Sequence, residues 1–402
     1  MEFQLGAVET ALLLRACQTE ARSRGPSLPV AAGALDWKRL SAAAASLGAA
    51  PALLRELEHA TDGGPLPAGA QVLRTMAAWQ ELREVHQRRV LERVARELIG
   101  AGYEIVLLKG AAFLALAMQS GRQMGDLDIL VPSHAEDAWH FLRSEGWRTL
   151  SERHTLDAYS SHHHLPALLD PKGSDVAVEI HRNIVPAADR LGLPDREVLS
   201  RARRVTLGGT VVLVPCAEHM LFHTALHFAW CNEMGSGWWR AFADTHAIVG
   251  DSTFSWQRFV DLVSGTSGRT ACWWTLELAR TMTGLAVPED VQRVLAPEGR
   301  SLERRFLVRH FVTLLTRIGS ERVPLKWRRR LWERALKPDR SGLLGLRPWQ
   351  WSVRAIEKTD VRRPQHSKFR RLLRYCRALL SSRIVPPLEL PERSREKASG
   401  QR

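Results

Sequence analysis

Residues 105–132 read IVLLKGAAFLALAMQSGRQMGDLDILVP, and this stretch decides the fold. The apolar run at its start predicts a short strand that ends in a turn at Lys109 and Gly110. The alanine-rich run 111–118 predicts a helix, because alanine has the highest helix propensity. Residues 126–131 then predict a second strand. The order of strand, turn, helix and strand indicates an α+β unit.

A third strand is predicted at residues 176–181, which read VAVEIH. Side chains alternate across a strand, so the aliphatic residues form one face and Glu179 and His181 lie on the other. Between the second and third strands, residues 133–145 predict a helix that opens with a capping box at 133–136. These elements predict a small mixed sheet within residues 102–215.

Helical patterns flank this unit on both sides. Leu91, Val94 and Leu98 recur at spacings of three and four, as in a helix with one buried face. We therefore predict an α+β fold in four parts: a helical N-terminal region (1–101), the mixed-sheet core (102–215), a second helical region (216–320) and a basic, Arg- and Trp-rich segment with a loose end (321–402).

Composition excludes several classes of protein. The chain has 402 residues, of which 45% are apolar and 25% charged, as in folded globular proteins. Its five cysteines are far apart and form no C-x-x-C motif, so we predict a reducing, cytoplasmic setting without a disulfide framework or cysteine-bound zinc. No run of about 18 apolar residues and no secretory signal pattern is present, so no transmembrane segment is predicted.

The positive charge is concentrated near the C-terminus. Residues 301–402 contain 27 Lys and Arg against 9 Asp and Glu, whereas the first 300 residues contain 30 against 34. Such a segment attracts phosphate-rich partners or an anionic membrane surface. We therefore predict polyanion or membrane-surface contact through 321–402. An arginine-rich composition without a specific partner is the alternative.

Two carboxylates stand on one face of the second predicted strand. Asp126 and Asp128 are two residues apart, and their like charges repel unless a cation neutralises them. Mg²⁺ is suited to this place, because it prefers oxygen ligands and bridges carboxylates to phosphates. If the third strand pairs beside this one, Glu179 completes a set of three carboxylates that can hold two ions for phosphoryl transfer.

Other residues near these strands suit phosphate binding. At Lys109 and Gly110 a strand enters a helix, where backbone amides and the helix dipole favour anions, and the lysine adds a positive charge. Arg122 either contacts a phosphate or caps the preceding helix. His181 shares a face with Glu179, and either orients a phosphate or the acceptor, or has a structural role.

Histidines occur in two groups that resemble metal sites only loosely. His219, His223 and His227 repeat every four residues on one predicted helix, and 162–164 is a run of three. Zinc is conceivable there. The absence of an H-E-x-x-H motif and of a cysteine partner favours packing roles instead.

Three motifs carry a family resemblance: LLKGAA at 107–112, RQMGDLDILVP at 122–132 and VEIH at 178–181. They resemble bacterial nucleotidyltransferase family proteins of the polymerase-β-like superfamily, and the similarity extends over roughly residues 30–250. The resemblance implies that Asp126, Asp128 and Glu179 bind metal and the nucleotide, and that His227 and Asp244 line the cleft. Lys109 and Gly110 stand where the superfamily usually has Gly-Ser.

The sequence therefore predicts a cytoplasmic, Mg²⁺-dependent nucleotidyltransferase. It would transfer a nucleoside monophosphate from a nucleoside triphosphate, or another phosphate-bearing donor, to a hydroxyl acceptor in a biosynthetic pathway. One alternative is a metal-dependent transferase that uses a nucleotide sugar or a phosphorylated peptide. Another is a non-catalytic binding protein that docks a polyanion through its C-terminal segment.

Overall fold

The computed structural model describes residues 5–18, 35–60, 65–118, 121–151, 154–186, 191–298, 301–316 and 325–336. The helices in this part of the chain are α1 (Ala7–Arg15), α2 (Trp37–Leu47), α3 (Ala50–Ala60), α4 (Gln71–Gly100), α5 (Lys109–Leu116), α6 (Ala135–Ser144), α7 (Asp195–Ser200), α8 (Ala217–Leu226), α9 (Trp238–Gly250), α10 (Trp256–Val263), α11 (Arg269–Thr283), α12 (Glu289–Leu295), α13 (Ser301–Thr316) and α14 (Leu325–Leu336). The strands are β1 (Val106–Leu107), β2 (Asp126–Leu130), β3 (Arg148–Thr149), β4 (Leu168–Leu169), β5 (Ala177–His181), β6 (Arg203–Leu207) and β7 (Thr210–Val214).

These strands form one mixed sheet in the order β3-β4-β5-β2-β1-β7-β6. The pairs β2/β5 and β1/β7 are parallel, and the other neighbouring pairs are antiparallel. Helices precede and follow the sheet along the chain. The predicted α+β fold, with a small mixed sheet between helical regions, is therefore confirmed. The boundaries proposed for the four parts stay a prediction.

The alternation along β2 and β5 separates a core face from a polar face. Leu127, Ile129, Val178 and Ile180 are all fully buried. On the opposite face, Asp128 lies directly beside Glu179 in the parallel register. Burial of the aliphatic face anchors both strands, and this positions the carboxylates that they carry.

The 30-residue helix α4 packs against the sheet through β7 and against α5 and α6. Its predicted apolar stripe of Leu91, Val94 and Leu98 is buried. Among the helices that follow the sheet in the chain, α8 packs against α9, α10 and α11. The buried apolar side chains form one continuous core that joins the N-terminal helices, the sheet and the C-terminal helices.

Two local predictions differ from the structure. Helix α5 begins at Lys109 and ends at Leu116, earlier than the predicted run 111–118. The predicted capping box at 133–136 is wrong, because Ser133 has a φ of +67° and His134 is the N-cap, without a side-chain capping bond. Because of the turn after Pro132, the N-cap of α6 is His134, one residue later than the predicted Ser133.

The basic C-terminal segment falls largely outside the described residues. Only α14 and the side chains of 327–336 represent it, so the predicted polyanion or membrane-surface contact through 321–402 cannot be placed on the fold. None of the helices described has the length and apolar character needed to cross a bilayer.

We expect Ile180→Ala to lower the free energy of unfolding by about 2–5 kcal/mol, because it leaves a cavity beneath the central strands. Val211→Ala is the matched control, since Val211 lies on β7 with 53% of its surface exposed. The control should change the free energy by no more than about 0.5 kcal/mol. Urea unfolding monitored by circular dichroism measures both. Equal effects would contradict the assigned strand faces.

Candidate functional site

The polar face of β2 and β5 brings three metal-ligating side chains together. Asp128, Glu179 and His181 each offer a ligand atom, and these atoms lie within 4.8 Å of one another. Asp128 is 2% exposed and His181 is fully buried. The parallel register explains the proximity, since Asp128 is paired with Glu179, and His181 follows two residues later on the same face.

One carboxylate oxygen of Asp128 contacts two other side chains. Its Oδ1 lies 2.7 Å from the Lys109 ammonium nitrogen and 2.9 Å from His181 Nε2. Burial alone would raise the pKa of Asp128, but the charge of Lys109 and the contact with His181 outweigh it and hold the pKa well below its ordinary value. Asp128 is therefore ionised throughout the physiological range.

The other two carboxylates show the opposite behaviour. The charge of Asp128, followed by burial, raises the pKa of Asp126. Burial, followed by the charges of Asp128 and Asp126, raises the pKa of Glu179 to about 8. Like charges crowded into a partly buried site explain both shifts. The positive charge near Asp126, Asp128 and Glu179 is therefore too small to balance three carboxylates, as expected for a cation-binding site.

Lys109 supplies the one ammonium group that contacts Asp128 within the described chain. Burial would lower its pKa, but the charges of Asp128, Glu179 and Asp126 outweigh burial and raise it. The residue has a φ of +44° at the first position of α5. For a residue with a Cβ this left-handed conformation costs on the order of 1–2 kcal/mol. The backbone strain therefore lies in the same residue that contacts Asp128.

Gly110 and Arg122 have roles in packing that the sequence did not indicate. A Cβ on Gly110 would collide with the thioether of Met124 and the guanidinium of Arg122. Arg122 donates to both carboxylate oxygens of Asp244, at 2.9 and 2.7 Å. This buried pair connects the segment before β2 to α9. Substrate binding by Gly110, Arg122 and Asp244 stays a prediction.

Helix α4 supports the same segment from the other side. Glu84 accepts hydrogen bonds from the backbone amides of Gly121 and Arg122, the second at 3.1 Å. The Gln87 amide donates to the carbonyl of Met124 at 3.1 Å. These contacts fix the backbone immediately before Asp126, although nothing in the local sequence connects α4 to the site.

A cavity of about 260 Å³ lies between the sheet and the C-terminal helices. Its walls combine Lys109, Gly110, Phe113, Arg122, Met124, Gly125, Asp126 and Asp128 with Pro215, Met220, His223, Thr224, His227, Asn232, Gly237, Arg240, Ala241 and Asp244. Glu179 and His181 are not part of this lining and approach Asp128 from the neighbouring strand. The cavity therefore places the two aspartates opposite the helical half of the protein.

Sequence reasoning did not identify Arg240 of the helical wall, and it named His223 only in a loose histidine group without placing it at the cavity. Arg240 makes no hydrogen bond or ion pair within the described part of the chain. His223 is 4% exposed, and its Nε2 has no hydrogen-bond partner among the described atoms. Arg240 precedes Asp244 by four residues on α9, so helical spacing from Asp244 is the signal that could have identified it.

The remaining histidines occupy two separate places. The ring centroids of His163 and His164 lie 5.2 and 5.4 Å from that of His181, and burial lowers the pKa of both, to about 4 for His164. His227 begins a π-helical turn, His227–Cys231, that follows α8. Within the described residues, His219, His223 and His227 do not form a set of three closely spaced ligands.

We predict that Glu179→Gln stabilises the metal-free protein more at pH 8.5 than at pH 5.5. The unfolded glutamate ionises near its ordinary value of 4.5, whereas in the folded chain it ionises near 8. Raising the pH between these values therefore destabilises the folded wild type, and glutamine does not titrate. The difference should be about 3 kcal/mol, measured by urea unfolding in chelator.

Glu145→Gln, at an exposed position, is the control for this experiment. It should show the same free-energy difference from the wild type at both pH values. A Glu179→Gln effect that does not change with pH would contradict the assigned environment of Glu179.

Comparison with known proteins agrees with this geometry. A search of curated proteins found no match. The family model described as "Uncharacterised nucleotidyltransferase" matches residues 33–284, more than half of the 402 residues, and covers β2, β5 and the cavity. The family prediction made from the motifs around Lys109, Asp126 and Glu179 is therefore confirmed: the chain belongs to this nucleotidyltransferase family.

Proposed function

We propose that the protein transfers a nucleoside monophosphate from a nucleoside triphosphate to a hydroxyl group of a biosynthetic acceptor, with Mg²⁺ as cofactor. One observation carries this proposal: the parallel pairing of β2 with β5 sets Glu179 beside Asp128 at the wall of a cavity. Cationic side chains face the same cavity. Acidic groups for a metal and basic groups for phosphates are what such a transfer requires.

Asp126, Asp128 and Glu179 would hold the metal, and we expect two ions. The donor set fits Mg²⁺, since carboxylate oxygens are its preferred ligands. The raised pKa values of Asp126 and Glu179 show that an added positive charge would be stabilised here. Bound Mg²⁺ supplies positive charge to the phosphates when they react.

The chain's own residues would perform the remaining tasks. The acceptor oxygen forms a bond to the α-phosphorus, the bond from that phosphorus to the bridging oxygen breaks, and pyrophosphate leaves. The hydroxyl proton passes to a carboxylate of the site. Asp126, which lines the cavity, and Glu179 in its ionised form are the candidates to accept it.

Basic groups on both walls would bind the phosphates. Lys109 stands at the start of α5, where the helix dipole adds to its charge. Arg240 faces it from α9 without an ion-pair partner in the described chain. Arg122 is engaged with Asp244, and we propose that it acts by holding the two walls together.

The wider setting belongs to the same proposal. A cytoplasmic location is supported by cysteine usage, as none of the four described cysteines forms a disulfide. The acceptor is a hydroxyl compound. His227, which lines the cavity, is a candidate contact for it.

The first test is incubation of the full chain with each labelled nucleoside triphosphate, Mg²⁺ and cell extract, with pyrophosphate and labelled acceptor as the readouts. We expect Asp126→Asn and Asp128→Asn each to lower turnover at least about a hundredfold, because each removes a charge that the transition state needs. Asp137→Asn, on the exposed side of α6, should retain full turnover. Full activity in either site variant would refute the metal assignment.

A second prediction concerns Arg240. We expect Arg240→Met to weaken binding of the Mg²⁺–nucleotide complex by roughly tenfold or more, because a desolvated guanidinium that contacts phosphate contributes on the order of 1.5–3 kcal/mol. Isothermal titration calorimetry measures the affinity. Arg204→Met removes an exposed arginine on β6 and should leave it unchanged. Equal affinity of Arg240→Met and wild type would exclude Arg240 from phosphate binding.

A further inference from the structure

His181 faces an oxygen atom at both of its ring nitrogens. Nε2 lies 2.9 Å from Asp128 Oδ1, and Nδ1 lies 3.2 Å from the backbone carbonyl oxygen of Asn183. A neutral imidazole carries one N–H, so in either tautomer one lone pair would face an oxygen lone pair. The side chain is fully buried, and water therefore cannot relieve that repulsion. A metal ion at one nitrogen would remove that repulsion.

The position of that cation follows from the two neighbours. At Nδ1 the partner is a neutral carbonyl, which is suited to accept an N–H. At Nε2 the partners are carboxylates, with Asp128 Oδ1 at 2.9 Å and Glu179 Oε2 at 3.8 Å. Histidines that bind metals commonly donate the other ring N–H to a backbone carbonyl, which directs the free lone pair at the ion. The contact of His181 Nδ1 with the Asn183 carbonyl is compatible with this arrangement.

The spacing also suits shared coordination. Two ligand atoms about 2.1 Å from one ion and at right angles to each other lie about 3.0 Å apart. The separation of 2.9 Å between Nε2 and Oδ1 agrees with this, and all three ligand atoms lie within 4.8 Å. Lys109 contacts the same Asp128 oxygen, so its ammonium group would move toward the phosphates when an ion binds.

We propose that Asp128, Glu179 and His181 form a mixed oxygen and nitrogen site for a divalent transition-metal ion, so that one metal position of this protein has an imidazole ligand. This inference rests on the proposed function, in which the same carboxylates hold the cofactor. Mn²⁺ accepts an imidazole nitrogen among oxygen ligands more readily than Mg²⁺, which prefers oxygen ligands alone. The site should therefore bind Mn²⁺ more tightly than Mg²⁺, and His181 should account for that preference.

The test uses the full chain, freed of metal with chelator and then loaded with Mn²⁺ in the absence of nucleotide. Pulsed electron paramagnetic resonance should detect a nitrogen coupling to the bound Mn²⁺, and the coupling should change when the protein is labelled with nitrogen-15 histidine. In His181→Gln the coupling should disappear, and the Mn²⁺ affinity should fall by roughly tenfold or more. The Mg²⁺ affinity, measured by calorimetry, should fall less.

His162→Gln is the matched control, because it removes a histidine of the adjacent 162–164 loop that is not among the three ligands. It should keep both the coupling and the Mn²⁺ affinity. Circular dichroism checks the fold of each variant, and His181→Asn replaces His181→Gln if the glutamine is not tolerated. The isotope experiment on the wild type does not depend on any variant.

The possible failures can be told apart. Bound Mn²⁺ without nitrogen coupling, or coupling that persists without His181, overturns the imidazole ligand but leaves a carboxylate metal site and the proposed function intact. If the wild type binds neither Mn²⁺ nor Mg²⁺, with or without a non-hydrolysable nucleoside triphosphate, both the inference and the proposed function fail.

Discussion

Repulsion between carboxylates at the junction of β2 and β5 is the constraint on which the site depends. Asp126, Asp128 and Glu179 are held close together by strands whose other faces are fully buried, so they cannot separate without disturbing the core. The pKa of Glu179 is raised by burial and by the neighbouring carboxylates, whereas Lys109 and His181 lower the pKa of Asp128. Positive charge from Lys109 resolves part of it, and a bound cation would resolve the rest.

A buried ion pair joins the two halves of the cavity. Arg122 precedes β2, Asp244 lies on α9, and their side chains are 8% and 7% exposed. Removing either partner would leave a buried charge without compensation, which is far more destabilising than the loss of a surface ion pair. The relative position of the sheet and the C-terminal helices is therefore set by charge as well as by apolar packing.

Local patterns were sufficient for three of the seven described strands, β1, β2 and β5, and for the acidic residues on them. The alternation in 176–181 correctly placed Glu179 on the polar face of β5. The D-L-D motif identified Asp126 and Asp128 as the two carboxylates on the same face of β2. The parallel register between these strands, separated by some fifty residues, depends on how the whole sheet assembles, so it could only be a conditional expectation. Ser133 shows the reverse case, in which a local motif was read correctly as a helix start but a left-handed turn displaced it.

The parts of the site that the sequence did not identify depend on contacts between distant elements. Arg240 belongs to the site because α9 packs across the cavity, and no motif marks it. The orientation of the His181 ring depends on the carbonyl of Asn183, a backbone group that carries no signal in the side-chain pattern. Gly110 suggested a phosphate turn, yet its close neighbours Met124 and Arg122 show that packing also demands a glycine there.

The positive φ of Lys109 means that this position satisfies two incompatible demands. Glycine would adopt the left-handed conformation without penalty, but it would remove the ammonium group from the carboxylates. Lysine keeps the charge, but its backbone has a left-handed conformation that is strained for a residue with a Cβ. Loss of the ammonium group would leave the buried Asp128 with one neighbouring positive charge fewer, which costs more than the backbone strain, so glycine should be disfavoured here even in a variant library screened only for thermal tolerance.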